Sequence, residues 1–254
     1  YLFTTDEKPN SYLAAYDVSD PTDIQPLDQL QTDPGSNAII HNTYWLNGYV
    51  IQSYYTEGVS IYDVNDPTNI VEVGRFDTSP FTGDGFNGAW GVYPFLPSGN
   101  LLVSDIQQGL FILAPTYVQA CWLQGTITNA NTSQPVDQAT VTLDGTSAFD
   151  VTDDFDGLYS TGWASAGTFT VTVSAPGYLS QTVEGVILLN GQVTVRDVQL
   201  IPLVPFDLAG QVIEEGTGTP VPNAPVLLTN DVYQYSTTSD ANGGFTVPGV
   251  FAGE

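Results

Sequence analysis

Basic side chains are nearly missing from this chain. Three lysines and arginines stand against 28 aspartates and glutamates, with one histidine, for a formal net charge of −25 over 254 residues. Nothing is available to neutralise phosphates, which speaks against nucleic acid as a partner and disfavours anionic membrane surfaces. Cations, Ca²⁺ above all, are the natural complement. Methionine is absent, and the single cysteine, Cys121, cannot form an internal disulfide. No apolar run reaches the roughly 18 residues of a membrane-spanning helix, and no basic-then-apolar segment opens the chain. Charged residues make up only 12%, about half the usual quarter. So few lysines would be unusual in a cytosolic chain, which points outside the cell.

What is present is β-forming. Hydrophobic residues at 42% and aromatics at 12% suffice for real cores, and β-branched and aromatic residues outweigh helix formers. The expected class is all-β. Two repeats organise it. Tyr16-Asp17-Val18-Ser19-Asp20-Pro21-Thr22-Asp23-Ile24 returns as Tyr62-Asp63-Val64-Asn65-Asp66-Pro67-Thr68-Asn69-Ile70, an offset of 46 residues from 16 to 62. Each copy follows an alternating, strand-like run, and the Asp-Pro-Thr step supplies a turn. Gly48–Tyr55 reads as a further strand, and Asn100–Asp105 with Gly109–Leu113 as a third, partial copy. The second repeat relates Leu123-Gln124-Gly125-Thr126-Ile127 to Leu208-Ala209-Gly210-Gln211-Val212, and Pro135-Val136 to Pro220-Val221, at an offset of 85 from 135 to 220. These patterns predict partial β-propeller blades over 1–117, a β-sandwich over 118–203 and a second, incomplete sandwich over 204–254, with Pro202 and Pro205 bounding a stiff linker. Fewer than the roughly four blades of a closed propeller are present. Strands of the first sandwich have no counterpart in the second, so both ends are expected to continue, in cis or through a neighbouring chain.

His41-Asn42-Thr43-Tyr44, the Tyr-Asp-Val-Asn-Asp-Pro-Thr run, Phe86-Asn87-Gly88-Ala89-Trp90-Gly91-Val92-Tyr93-Pro94 and Pro97-Ser98-Gly99-Asn100 resemble the choice-of-anchor B family of LVIVD-repeat propellers. The resemblance covers residues 1 to about 117 and implies a secreted or surface-anchored propeller. The later units resemble carboxypeptidase regulatory-like (prealbumin-like) domains, which are not peptidases. Together these resemblances imply export and display on a bacterial surface, and no established chemistry.

Candidate sites are few. His41, with Asn42, Asn87 and Trp90, would line the propeller axis and hold a ligand. The competing reading of a lone histidine is structural, since first-row metal sites want several such ligands. Asp153, Asp154 and Asp156 ahead of Gly157 place three carboxylates in one turn, a plain hairpin or a Ca²⁺ site. The Thr82–Gly85 loop with Asp77 and Asp84 poses the same alternative. Cys121 reads as a small buried hydrophobe, its rival being a disulfide to a cysteine elsewhere. Trp45, Trp90, Trp122 and Trp163 could stack on sugars, although core packing claims most aromatics in such folds. Asn131-Thr132-Ser133 is a glycosylation sequon. No nucleophile elbow, metalloprotease helix or phosphate loop is present, so an enzyme is not expected unless its active site lies in blades outside this chain. The expected function is an extracellular structural or adhesive surface protein, a propeller head on sandwich modules. It would partner other surface proteins or itself, as a filament subunit if a neighbour's strand filled the second sandwich. The alternative is a glycan- or ligand-binding module.

Overall fold

The computed structural model describes residues 1–152, 155–229 and 233–251. Among them every regular element is a strand, and no sheet closes into a barrel. The all-β expectation is met.

Three antiparallel meanders come first. β1 (Leu2–Thr4), β2 (Leu13–Asp17) and β3 (Gln25–Leu30) form one. β4 (Thr43–Leu46), β5 (Tyr49–Ser53), β6 (Val59–Asp63) and β7 (Val71–Phe76) form a second in simple up-and-down order. β8 (Ala89–Tyr93), β9 (Leu101–Asp105) and β10 (Gly109–Leu113) form the third. The 46-residue repeat maps onto equivalent strand ends. The Asp17 and Asp63 carboxylates accept the amides of Ser19 and Asn65 at 2.8 and 2.9 Å. Asp20 and Asp66 accept those of Thr22 and Thr68 at 2.9 and 3.0 Å. The side-chain oxygen thus stands in for a backbone acceptor, and proline fixes φ, as the turn chemistry requires. One detail departs from expectation: β5 stops at Ser53, and Tyr55 turns into left-handed backbone at φ 31°.

The segment that follows is a two-layer sandwich. β11 (Cys121–Asn129), β12 (Thr140–Leu143), β13 (Phe149–Val151), β14 (Leu158–Trp163), β15 (Gly167–Ser174), β16 (Tyr178–Leu179), β17 (Gln181–Leu188), β18 (Val193–Val195) and β19 (Val198–Pro202) divide into two sheets. One sheet runs β14-β11-β19-β16, with β18 also on β11; the other runs β13-β12-β15-β17. Alternation on β11 sends Cys121, Leu123 and Ile127 inward against Val141, Leu143, Val171, Val173, Val186 and Leu188. Cys121 is fully buried and free, as a small core hydrophobe would be, and burial pushes its thiol pKa up. The run from Val193 to Pro202 is interrupted, so that it forms two strands, β18 and β19. Between the pieces, the Arg196 amide donates to Gln124 O, and the Asp197 carboxylate accepts the Thr126 amide.

The last elements are β20 (Phe206–Gln211), β21 (Pro225–Thr229), β22 (Gln234–Thr238) and β23 (Gly244–Val250), paired as β20-β23 and β21-β22. The 85-residue offset is visible in the hydrogen bonds. Ile127 N donates to Gly157 O as Val212 N does to Gly243 O, both at 2.8 Å, and Val136 N to Ile127 O as Val221 N to Val212 O, both at 2.9 Å. The Thr152 hydroxyl on Val136 O is matched by the Ser239 hydroxyl on Val221 O.

The second and third meanders share a core with the outward face of β11, distinct from the interior of the sandwich. Trp122, on the outward face of β11, packs with Ile51, Ile61, Val71, Val73 and Val103, and is only 6% exposed. Its indole N–H donates to Asn69 O at 3.0 Å, while the Asn69 amide donates to Thr161 O at 2.9 Å. The Asp63 carboxylate accepts Ala120 N at 2.8 Å. The second copy of the nine-residue repeat is therefore the docking surface for the sandwich. The first copy is not: Ile24 is 53% exposed where Ile70 is 4%.

Candidate functional site

The three meanders bring loop ends together around His41. His41 and Asn42 lead into β4, and their backbones extend the β4–β5 ladder: His41 N donates to Ser53 O, and Ser53 N to Asn42 O, both at 3.0 Å. The Ser53 hydroxyl accepts Asn42 N at 3.1 Å and donates to Trp90 O at 3.2 Å, tying the entry of β4 to β8. Tyr55 O accepts Ala89 N at 2.8 Å and Gly58 N at 3.1 Å, which holds Tyr55 in its unusual conformation. Glycine is required at 88: φ is +88°, and a Cβ there would lie 2.2 Å from Tyr55 O.

On this frame sits a chain of rings. His41 stacks on Trp90 with centroids 5.0 Å apart and planes 26° apart, and meets Tyr55 edge-on at 5.7 Å. Tyr55 in turn meets Phe86 edge-on at 5.3 Å. The Tyr55 hydroxyl donates to Glu7 Oε1 at 2.6 Å, and the same oxygen lies 3.7 Å from His41 Nε2. Burial, then the Glu7 carboxylate, raises the Tyr55 pKa, so the phenol stays a donor. His41 Nδ1 is buried without a hydrogen-bond partner among the described residues. Trp90 and Phe86 remain 52% and 60% exposed. At the rim, the Gln107 amide donates to Asn87 Oδ1 at 2.6 Å while its oxygen accepts Gly88 N at 2.8 Å.

Of the four residues expected to form a site, His41 and Trp90 are in contact. Asn87 is at the rim, engaged by Gln107. Asn42 serves the scaffold through its backbone, its side-chain oxygen lying close to Gly91. Glu7, Tyr55, Phe86 and Gln107 were not foreseen. Tyr55 was hidden inside an alternating run, and Glu7 lies in an uninformative polar loop. Core packing was expected to claim most tryptophans, but two of the four, Trp45 and Trp90, are exposed.

Asp153 and Asp154 lie outside the described residues. Asp156 behaves as a turn residue, accepting Leu158 N at 3.0 Å. Among the described residues no three histidine, cysteine, aspartate or glutamate side chains converge as metal ligands would. Asp77 accepts Ser79 N at 2.8 Å, also as a turn residue, and Asn131–Ser133 is an exposed loop. Among the described residues no helix is long and apolar enough to cross a membrane.

Residues 123–201 match the carboxypeptidase regulatory-like domain. That segment is the two-layer sandwich, and the resemblance seen in its sequence holds there. No curated protein matches the chain. Among solved structures, similarity is found to a streptococcal ancillary pilin, at 11% identity and a TM-score of 0.33, covering 83% of this chain and 68% of that one. The Bacillus anthracis TIE protein is similar at 11% identity and a TM-score of 0.28, covering 85% of this chain. The chain spans about half of that protein's length, 51%.

Proposed function

We propose that this chain is an extracellular structural and adhesive module of a cell surface, in which LVIVD-like propeller blades over 1–117 form a head fixed to β-sandwich units at 118–203 and 204–254. The shared core around Trp122 carries this reading. A head on a flexible tether would expose polar surface at the joint, whereas here an indole, buried amides and the Asp63 carboxylate lock the two parts. A rigid joint transmits force and holds the head in a set direction. The scarcity of lysine and the acidic surface suit a soluble, displayed protein with Ca²⁺ as counter-ion. The role is binding and structural rather than catalytic.

The exposed ring chain at Trp90 favours a second, compatible reading, in which the head recognises a ligand. Antibody labelling of intact source cells, with and without permeabilisation, tests display. Labelling only after permeabilisation would sink it. Light scattering of the purified chain with Ca²⁺ and with chelator tests assembly. A chelator-sensitive increase in mass would implicate the Asp153–Asp156 turn as the cation site.

A further inference from the structure

We propose that the exposed face of Trp90 and Phe86, backed by His41 and the buried Tyr55, binds neutral pyranose sugars, with Trp90 as the stacking platform. The inference rests on the reading of that face as a recognition surface. Trp90 has one face covered by His41, yet the ring is half exposed, so the opposite face is offered to solvent. Such a ring contributes little to the core and is instead held flat. A pyranose presents an apolar C–H face of matching size, and an aromatic plane is its natural complement. Hydroxyls at the sugar's edge need hydrogen-bonding groups beside that plane. Glu7 supplies a carboxylate already fixed by the Tyr55 hydroxyl, and the Asn87 amide is fixed by Gln107.

Two alternatives fit less well. Acidic sugars would meet Glu7 and a chain of net charge −25. A quaternary ammonium would be drawn by the charge but needs rings boxed around it. Here His41 and Trp90 are stacked, which leaves an outward plane in place of a box. The backbone strain at Tyr55 and the orphaned Nδ1 of His41 both fall in this cluster, as features of binding sites often do.

The test is titration calorimetry of the full chain with cellotetraose, maltotetraose, xylotetraose and mannotetraose, beside tetragalacturonate and choline. At least one neutral tetrasaccharide is expected to bind with Kd of about 1 mM or tighter, and tetragalacturonate and choline are not. Trp90→Ala should weaken that binding about tenfold or more, as loss of an aromatic anchor does. Phe86→Ala should weaken it less, and Trp45→Ala, at an exposed tryptophan outside the cluster, should leave it unchanged. Near-UV circular dichroism confirms that each variant is folded. Absence of binding to all four neutral sugars overturns the proposal, as does binding that survives Trp90→Ala or a preference for choline or tetragalacturonate. Surface display would stand in each of those cases, since cell labelling does not depend on sugar.

Discussion

Replacing Trp122 with alanine attacks the joint directly. The ring is almost wholly buried between β11 and the strands of the second meander. Truncating a buried tryptophan or phenylalanine costs about 3–5 kcal/mol. The lost indole bond leaves Asn69 O buried without its donor, adding about 1 kcal/mol. Against a whole-domain stability of roughly 5–15 kcal/mol, that is enough to separate events that are coupled in the native chain. Trp122→Phe keeps most of the ring and removes the hydrogen bond, so it should cost about 1–2 kcal/mol. Urea unfolding followed by tyrosine fluorescence and by far-UV circular dichroism provides the assay. The native chain should show meanders and first sandwich unfolding together, and Trp122→Ala should split that step into two. A cost below about 1 kcal/mol, with the probes still coincident, would refute a shared core.

Asp28 gives a pH test. Burial lifts its carboxyl from 3.8 to about 6, with Asp150 and Asp66 adding to the rise, although the amides of Ile70 and Gln29 donate to it. A folded-state value above the unfolded one means that the native chain holds this proton more tightly. Its contribution therefore grows as pH falls from about 6 towards 4 and is lost as pH rises through that window. Asp28→Asn should flatten that part of the stability profile and raise the urea midpoint at pH 7 by the equivalent of about 1–2 kcal/mol. An unchanged slope would refute it. Gly88→Ala should cost about 2 kcal/mol or more through backbone strain and a clash with Tyr55 O, and should disturb sugar binding as well; calorimetry on the folded variant checks both. Asp156→Asn, if the Asp153–Asp156 turn holds Ca²⁺, should abolish any Ca²⁺-dependent rise in melting temperature, and the same rise in the variant would clear the turn of that role.

Strand and turn chemistry were legible because they are local. The Asp-Pro-Thr turns and the Pro-Val and Gly pairs each repeat a short set of backbone hydrogen bonds, so the two offsets could be read from letters alone. The candidate site was half legible. His41 and Trp90 stood out as rare residue types, but nothing local joins Glu7 to Tyr55 across 48 residues or Gln107 to Asn87 across 20. Those contacts arise where three meanders meet, and polar loop residues carry no periodicity to announce it. Trp122 was not singled out from the other tryptophans, because its outward placement on β11, towards the meanders, depends on the register of a strand whose two faces are both covered. Alternation alone cannot distinguish the two cores that such a strand serves.

The sharing of Trp122 also sets an order of events. A chain emerges from the ribosome at about 5–20 residues per second, N-terminal end first. The meanders are complete in strands by Leu113, yet their core lacks the indole until residue 122 has appeared. β11, which carries it, is then unpaired on one side until β18 and β19 are made, some 70 residues later, since Trp122 pairs with Val193 and Ile127 with Val198. The nascent meanders thus lack the indole's share of their packing until β11 is made, and β11 lacks its partners on one side until the sandwich is nearly complete. Were the chain exported, as proposed above, such late packing would leave it threadable until most of it could fold on the far side.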